Sequence, residues 1–196
     1  MGRRRSVDMV LCVLLVCGAT SCTDPLPTPS AEAPMAPCDV RVADGEVDFL
    51  PADFSGEIQH HGDGQSGLLF ESLESAACDG FERVIVQYSS PDTRTGQLGL
   101  WAEWTGEVRI EGTDEVAPID GPEVLHISVV GVTWQPGTGA AHSVGGPSGN
   151  PIAEVRYYEQ SGGSASLYLG LAERAEYRVF TLDDPSRILL DIRATD

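Results

Sequence analysis

Serine and histidine are the first residues to consider for chemistry, because together they support nucleophilic acyl transfer. A nucleophile elbow needs Gly-x-Ser-x-Gly at a strand-to-helix turn, and the glycine-flanked serines in 64–67 and 146–149 lack the fifth position of that pattern. His126 lies in a run typical of a strand and His142 in a glycine-rich stretch, and neither has an evident partner in the sequence. The sequence therefore predicts no catalytic residue.

Metal binding is the second chemistry to consider. His60, His61 and Asp63 have the side chains of a metal site, but adjacent histidines project to opposite sides of an extended chain. Because the stretch is also rich in glycine, a solvated loop is the better interpretation. Calcium would suit so acidic a chain, yet no Asp-x-Asp-x-Asp-Gly loop is present. We predict no metal site and no cofactor.

Three aromatic residues are better candidates, for binding a ligand. Along 98–104 the side chains alternate: Leu98, Leu100, Ala102 and Trp104 share one face of a strand, and Gly99, Trp101 and Glu103 share the other. One of these tryptophans should therefore be in the core and the other exposed. If Trp101 faces outward with Tyr158 or Trp134 nearby, the rings could stack on a sugar while carboxylates bind its hydroxyls. The alternative is that all three tryptophans are buried.

The charge of the chain excludes several partners. Its 196 residues include 12 basic side chains, all arginine, and 30 acidic ones, so the formal charge is −18. Approach to nucleic acid or to an anionic lipid surface would be repulsive, and the sequence contains no basic patch to offset this. Hydrophobic residues make up 41% of the chain, which is enough for one folded core.

The first 21 residues have the pattern of an export signal. Arginines 3–5 precede an apolar run over 9–16, which is far shorter than the roughly 20 residues that a spanning helix needs. Small residues 18–21 then lead to Cys22, and this site resembles the lipobox of bacterial lipoproteins, whose cysteine carries the lipid. We therefore expect 1–21 to be a lipoprotein signal peptide and Cys22 to be lipidated. An ordinary secretory signal is the alternative.

Cysteine use follows from this assignment. Cys12 and Cys17 lie in the signal peptide and Cys22 is the lipidation site, which leaves Cys38 and Cys78 in an oxidising compartment. We predict that these two form a disulfide, worth roughly 4 kcal/mol in the chain-entropy model. Two free buried thiols are the alternative.

The mature chain begins with two segments that lack a regular period. Residues 22–37 contain five prolines and are predicted to be an extended tether, spanning at most roughly 45 Å at about 3.1 Å per residue. Residues 38–66 are acidic and glycine-containing, with scattered apolar residues, and are predicted to be loosely structured and held by Cys38.

From residue 67 to 196 the pattern changes to a period of two. Seven short runs rich in valine, isoleucine, leucine and aromatic residues are predicted to be strands, at 81–88, 98–104, 124–132, 152–160, 164–172, 175–182 and 187–193, with 67–73 as an eighth. In the last run Ile188, Leu190 and Ile192 alternate with Arg187, Asp191 and Arg193, which predicts one solvated face. We predict an antiparallel β-sandwich of seven or eight strands, with a flattened barrel as the alternative.

Two motifs resemble a known family. The run 78–86 (Cys-Asp-Gly-Phe-Glu-Arg-Val-Ile-Val) and the closing run 177–192, with its Asp-Pro-x-Arg turn, resemble the AMIN-like domain of high-GC Gram-positive lipoproteins over about 67–194. Cys78 stands where the family usually has a histidine, so no role for that histidine carries over. The resemblance implies an all-β envelope module without catalytic residues, and AMIN domains proper are associated with binding peptidoglycan.

Together these features predict a non-catalytic lipoprotein on the outer face of the cell membrane, touching the membrane only through its N-terminal lipid. Its partner is predicted to be cell-wall glycan, with Trp101, Trp134 and Tyr158 as candidate contacts. A protein partner within an envelope assembly is the first alternative, and a hydrolase is the second.

Overall fold

Alternating runs of branched and aromatic residues form the strands of this protein. The computed structural model describes residues 36–40, 47–60, 67–90, 97–110, 115–133, 141–147, 151–160 and 162–194. Within these ranges a 3₁₀ helix, Pro37–Asp39, precedes twelve strands: β1 Gly56–Gln59, β2 Leu69–Cys78, β3 Phe81–Ser89, β4 Gly99–Thr105, β5 Val108–Arg109, β6 Val116–Ala117, β7 Glu123–Val130, β8 His142–Gly145, β9 Ile152–Gln160, β10 Ser164–Leu171, β11 Tyr177–Asp183 and β12 Ser186–Arg193. No helix in these ranges is long and apolar enough to cross a membrane.

Ten strands form two antiparallel sheets that pack face to face. The larger sheet has the strand order β1-β4-β7-β10-β9-β8, and the smaller has the order β11-β12-β3-β2. Strands β5 and β6 pair with each other as a separate hairpin. Buried side chains of both sheets form one hydrophobic core, so the predicted antiparallel β-sandwich is confirmed.

Three large tyrosines occupy the core. Tyr88, Tyr157 and Tyr177 are almost completely buried. The ring edge of Tyr88 lies against Tyr157 with 6.3 Å between centroids, and the hydroxyl of Tyr177 donates to the carbonyl of Phe54 at 2.9 Å. Burial raises the pKa of each of the three phenols, because an ionised phenolate would lose its hydration there.

A buried charge network lies on the other face of the smaller sheet. Asp191 of β12 is 0% exposed, and its carboxylate accepts two hydrogen bonds from Arg83 of β3, at 2.6 and 2.8 Å. Arg178 of β11 donates a third at 2.8 Å. Strand register brings the three together, because Asp191 lies opposite Arg83 on one side and Arg178 on the other. All three residues belong to the motifs that carry the family resemblance.

The N-terminal segment covers this network. Arg83 also donates to the carbonyls of Pro37 and Val40, and Arg178 donates to the carbonyl of Val47. Val40 and Val47 pack beside them in a second cluster of hydrophobic side chains, with Ile85, Phe180, Leu182 and Leu189. The expected solvated face of β12 is therefore wrong for Asp191, because this segment excludes water from it.

A disulfide joins the same segment to the sheet. Cys38, in the 3₁₀ helix, is bonded to Cys78 at the end of β2. The predicted bridge is confirmed, and it explains why a cysteine at position 78 suits this chain.

Residues 47–60 contribute more structure than their composition indicated. Leu50 and Tyr177 form a backbone bridge, with N–H···O distances of 2.6 and 3.2 Å. Phe54 and Ile58 pack against the core, and β1 adds a strand to the edge of the larger sheet. Residues 41–46 and 61–66 of the predicted loose segment lie outside the described ranges, as do the signal peptide, Cys22 and residues 22–35 of the tether.

Replacing the buried carboxylate should unfold the protein more easily. We expect Asp191→Asn to lower the free energy of unfolding by roughly 3–5 kcal/mol, because two buried guanidinium groups would lose their counter-charge. Urea denaturation measures the change. Asp184→Asn, at the exposed tip of the β11–β12 hairpin, is the matched control and should leave the midpoint unchanged. An equal midpoint for both variants would contradict the role of the network.

High pH should destabilise the fold through the core tyrosines. Each folded-state pKa lies above the ordinary value of 10.0, so their contribution to stability is fully present below about pH 10 and is lost as the pH rises toward the folded-state values. We expect tyrosinate absorbance to appear together with unfolding in an alkaline titration. Ionisation of all five tyrosines near pH 10, as in free tyrosine, with no loss of structure, would contradict this prediction.

Candidate functional site

The outer face of the larger sheet carries an exposed tryptophan. Register places Trp101 of β4 opposite Ser128 of β7, followed by Ser166 of β10 and Tyr158 of β9, so their side chains point to the same face. Trp101 is 49% exposed. Trp104 points the other way, toward the core, where it forms an edge-to-face contact with Tyr177, with 6.3 Å between ring centroids. The alternation of β4 thus separates the two indoles as the sequence predicts.

The other two candidate aromatics do not join Trp101. Tyr158 shares its face but lies three strand spacings away, roughly 14 Å at about 4.8 Å per spacing. It is also only 9% exposed, because it packs under a small cluster instead of facing solvent. Trp134 lies outside the described residues. Trp101 is therefore the candidate that remains on the described surface.

The β5–β6 hairpin is what covers Tyr158. Val108 of the hairpin is buried with Val124, Tyr158 and Tyr168, and Ile110, Ala117 and Ile119 pack around them. The hydroxyl of Tyr168 donates to the carbonyl of Arg109 at 3.0 Å. A side chain at position 170 would collide with the backbone at Asp120, since an added Cβ would lie 1.8 Å from its carbonyl oxygen. Glycine there lets the chain cross β10 closely, so the hairpin covers one half of the face and leaves the other open.

A chain of hydrogen bonds runs across the open half. Glu103 accepts from Nδ1 of His126 at 2.9 Å, and Nε2 of His126 lies 2.9 Å from the hydroxyl of Ser166. Gln160 donates to Ser166 at 2.8 Å and accepts from Ser164 at 3.1 Å. Because a carboxylate can only accept, Nδ1 of His126 carries the proton in the bond to Glu103.

Sequence reasoning missed these partners of His126. Glu103 lies directly opposite His126 in the β4–β7 pairing, although the two are 23 residues apart in the chain. The ring of His126 also stacks on Tyr168, its opposite residue on β10, at 4.4 Å between centroids. The signal that could have found them is the shared exposed face of neighbouring strands, which requires the strand order to be known.

The distances between Ser166, His126 and Glu103 match those of a Ser-His-acid catalytic triad. The surroundings of Ser166, however, favour a structural role. Ser166 is only 2% exposed and its oxygen already accepts from Gln160. The backbone of β10 pairs with β7 on one side and β9 on the other along its whole length, so its amides are occupied by the ladders. An acyl-transfer site needs a reachable oxygen and amide donors for an oxyanion. The chain of bonds instead holds the polar surface rigid.

The open half of the outer face is defined here as the Trp101 face. It consists of Trp101, Glu103, His126, Ser128 and Val130, of which Val130 is 42% exposed and the Glu103 side chain 53% exposed. An exposed indole beside a carboxylate held in place and a hydroxyl suits a ligand with one apolar face and polar edges. No group of three or more His, Cys, Asp or Glu side chains within the described ranges is placed to hold a metal ion.

The fold and this surface define a class: an all-β sandwich with an exposed aromatic side chain on the outer face of one sheet. The model of the AMIN-like domain family matches residues 70–194, which is more than half of the chain, so the chain belongs to the AMIN-like domain family. This family consists of envelope-associated modules of the binding type. No match was found among curated proteins or among solved structures.

Removing the hydroxyl of Ser166, which lies in the middle of this chain of hydrogen bonds, tests the structural role of these bonds. We expect Ser166→Ala to cost roughly 1–3 kcal/mol of unfolding free energy, because Gln160 and His126 would each lose a partner in a partly buried site. Ser143→Ala, on the edge strand β8, is the exposed control and should be neutral. A fluorophosphonate probe should leave Ser166 unlabelled, and covalent labelling mapped to Ser166 by mass spectrometry would contradict this assignment.

Proposed function

We propose that this protein is a non-catalytic lipoprotein of the cell envelope that recognises cell-wall glycan through the Trp101 face. Membership of the AMIN-like family supports an envelope role. The observation that carries the finer proposal is the exposure of Trp101, half of whose surface is open on an otherwise well-packed sheet. A large aromatic exposed beside ordered polar groups is the usual anchor of a binding surface.

The arrangement around Trp101 suits an uncharged sugar. The flat indole can cover the apolar face of a sugar ring, and Val130 offers an adjacent apolar contact. Glu103 is held by His126, so its carboxylate can accept from ring hydroxyls with little further loss of side-chain freedom. Stacking and hydrogen bonding of this kind act at contact distance.

The net charge further restricts the ligand. At −18 the chain repels anionic wall polymers over long distances, whereas a neutral glycan is not affected. In physiological salt the repulsion decays over about 8 Å, so contact between the indole and a neutral ring is preserved even near anionic polymers. Neutral glycan strands are therefore the favoured partner.

Attachment through the N-terminus would place this face within reach of the wall. In this proposal Cys22 carries the lipid and residues 22–37 form the tether on the outer side of the membrane. Residues 37–40 lie against the outer side of the smaller sheet, whereas the Trp101 face is on the outer side of the larger sheet.

A protein partner is the second candidate, and the exposure of Val130 next to Trp101 is the observation that favours it. An aromatic and an aliphatic side chain on neighbouring strands form a small apolar patch of the kind found at the centre of protein interfaces. A partner protein of this kind would compete with glycan for the same indole.

Cosedimentation with insoluble wall material tests the glycan proposal. We expect Trp101→Ala to weaken retention by at least roughly tenfold, because a stacked aromatic contact with its buried area is worth ~1.5–3 kcal/mol. Val116→Ala, which removes another exposed apolar side chain from β6, is the matched control and should be retained like wild type. Equal recovery of all three proteins in the supernatant would overturn the proposal. Retention that is lost after protease treatment of the wall material would favour the protein partner.

A further inference from the structure

A second feature lies at one end of the sandwich, away from the Trp101 face. A cavity of about 230 Å³ opens between the two sheets, where the tip of the β11–β12 hairpin approaches β1 and the start of β4. Its lining combines three leucines with five polar side chains: Leu68, Leu98, Leu182, Gln59, Gln97, Thr181, Asp183 and Ser186.

The lining becomes polar where the space between the sheets opens to solvent. Along β11 the inward positions begin with Tyr177 and Val179, which are buried in the core, and continue with Thr181 and Asp183. Ser186, which pairs with Asp183, occupies the matching inward position of β12. Thr181 and Ser186 are half-buried and Asp183 is exposed. The inward side of this hairpin therefore changes from apolar core to a polar lining that solvent, and so a polar ligand, can reach.

One side chain from the larger sheet holds the cavity in shape. Gln59 donates through Nε2 to the carbonyl of Leu98 at 2.7 Å, and its Oε1 accepts from the hydroxyl of Thr181 at 3.1 Å. The amide is therefore oriented by one partner from each sheet. Because Leu68 and Leu98 are buried, the cavity has an apolar floor beneath these polar groups. Such a preformed site loses little conformational freedom when a ligand binds.

The charges of the lining indicate the ligand. Among the described residues that line the cavity, Asp183 is the single charged one. A carboxylate beside carboxamide and hydroxyl groups, in a chain of charge −18, attracts a cation with hydrogen-bonding groups and repels an anion. The volume is that of about seven or eight liquid water molecules at ~30 Å³ each, which suits a molecule about as large as one sugar ring.

We propose that this end cavity binds a small primary-ammonium compound, with the ammonium group on the carboxylate of Asp183 and the polar body on Gln59, Thr181 and Ser186. The site is distinct from the glycan site proposed above, since it lies between the sheets and not on the outer face. Gln59 precedes the matched residues 70–194, so the cavity is completed by a segment outside the family domain.

NMR titration with a matched pair of probes tests the proposal. Glucosamine and N-acetylglucosamine share one ring and differ in that only the first carries an ammonium group. We expect glucosamine to change the chemical shifts of the backbone amides of Thr181, Leu182 and Gln59 in a saturable way. N-acetylglucosamine should leave these chemical shifts unchanged. Asp183→Asn should weaken glucosamine binding by about tenfold, as expected for a charged hydrogen bond, whereas Asp184→Asn, which is also exposed but lies outside the lining, should not.

The outcomes separate this site from the Trp101 face. Trp101→Ala should leave the glucosamine shifts unchanged, so failure of the glycan proposal and failure of this one are read from different residues. Absence of saturable shifts in the cavity would overturn the proposal. Equal response to both probes, or an equal loss in Asp183→Asn and Asp184→Asn, would also overturn it. Well-dispersed spectra of each variant would show that folding is preserved.

Discussion

The buried carboxylate of Asp191 organises one side of this protein. Asp191 would be costly in a dry environment, and it is stable there only because Arg83 and Arg178 surround it with hydrogen bonds. The two guanidinium groups have donors left over, and these are used by backbone carbonyls of residues 37, 40 and 47. The charge network therefore determines where the N-terminal segment lies. It also gives a physical reason for the family motifs, since they supply all three charged residues.

The outer faces of the two sheets are covered to different extents as a result. The N-terminal segment closes the outer face of the smaller sheet, with Val40 and Val47 packed among its apolar residues. The β5–β6 hairpin closes only part of the outer face of the larger sheet. What remains open is the Trp101 face, where a chain of hydrogen bonds from Glu103 to Ser164 keeps the polar side chains in place. Of the two outer faces, the larger sheet is thus the one that presents an exposed indole.

The strands that the sequence predicts well are those with strong alternation. All seven runs correspond to strands, and the eighth, at 67–73, corresponds to the first part of β2. Strands β1, β5, β6 and β8 were not predicted, because two to four residues are too few to show a period of two. Composition allowed the pairing of Cys38 with Cys78 to be found by elimination. Alternation of β4 likewise separated Trp101 from Trp104.

Other features depended on contacts between distant residues. Asp191 alternates like a solvated residue, and only a segment more than 140 positions earlier in the chain makes it buried. His126 acquires its partners through strand pairing. The end cavity forms only where β1 meets the β11–β12 hairpin. Local pattern carries no information on which strands become neighbours. Lipidation of Cys22 and the part played by Trp134 lie outside the described residues and stay predictions.

The disulfide has a mechanical consequence for a domain held by its N-terminus. Any tension applied to the chain before Cys38 is transmitted through a covalent bond to Cys78 at the end of β2. The force enters the smaller sheet at that point and bypasses residues 39–77, so β1 and the larger sheet are not peeled away first. The Trp101 face, which belongs to the larger sheet, would therefore not be the first part of the domain to be pulled apart.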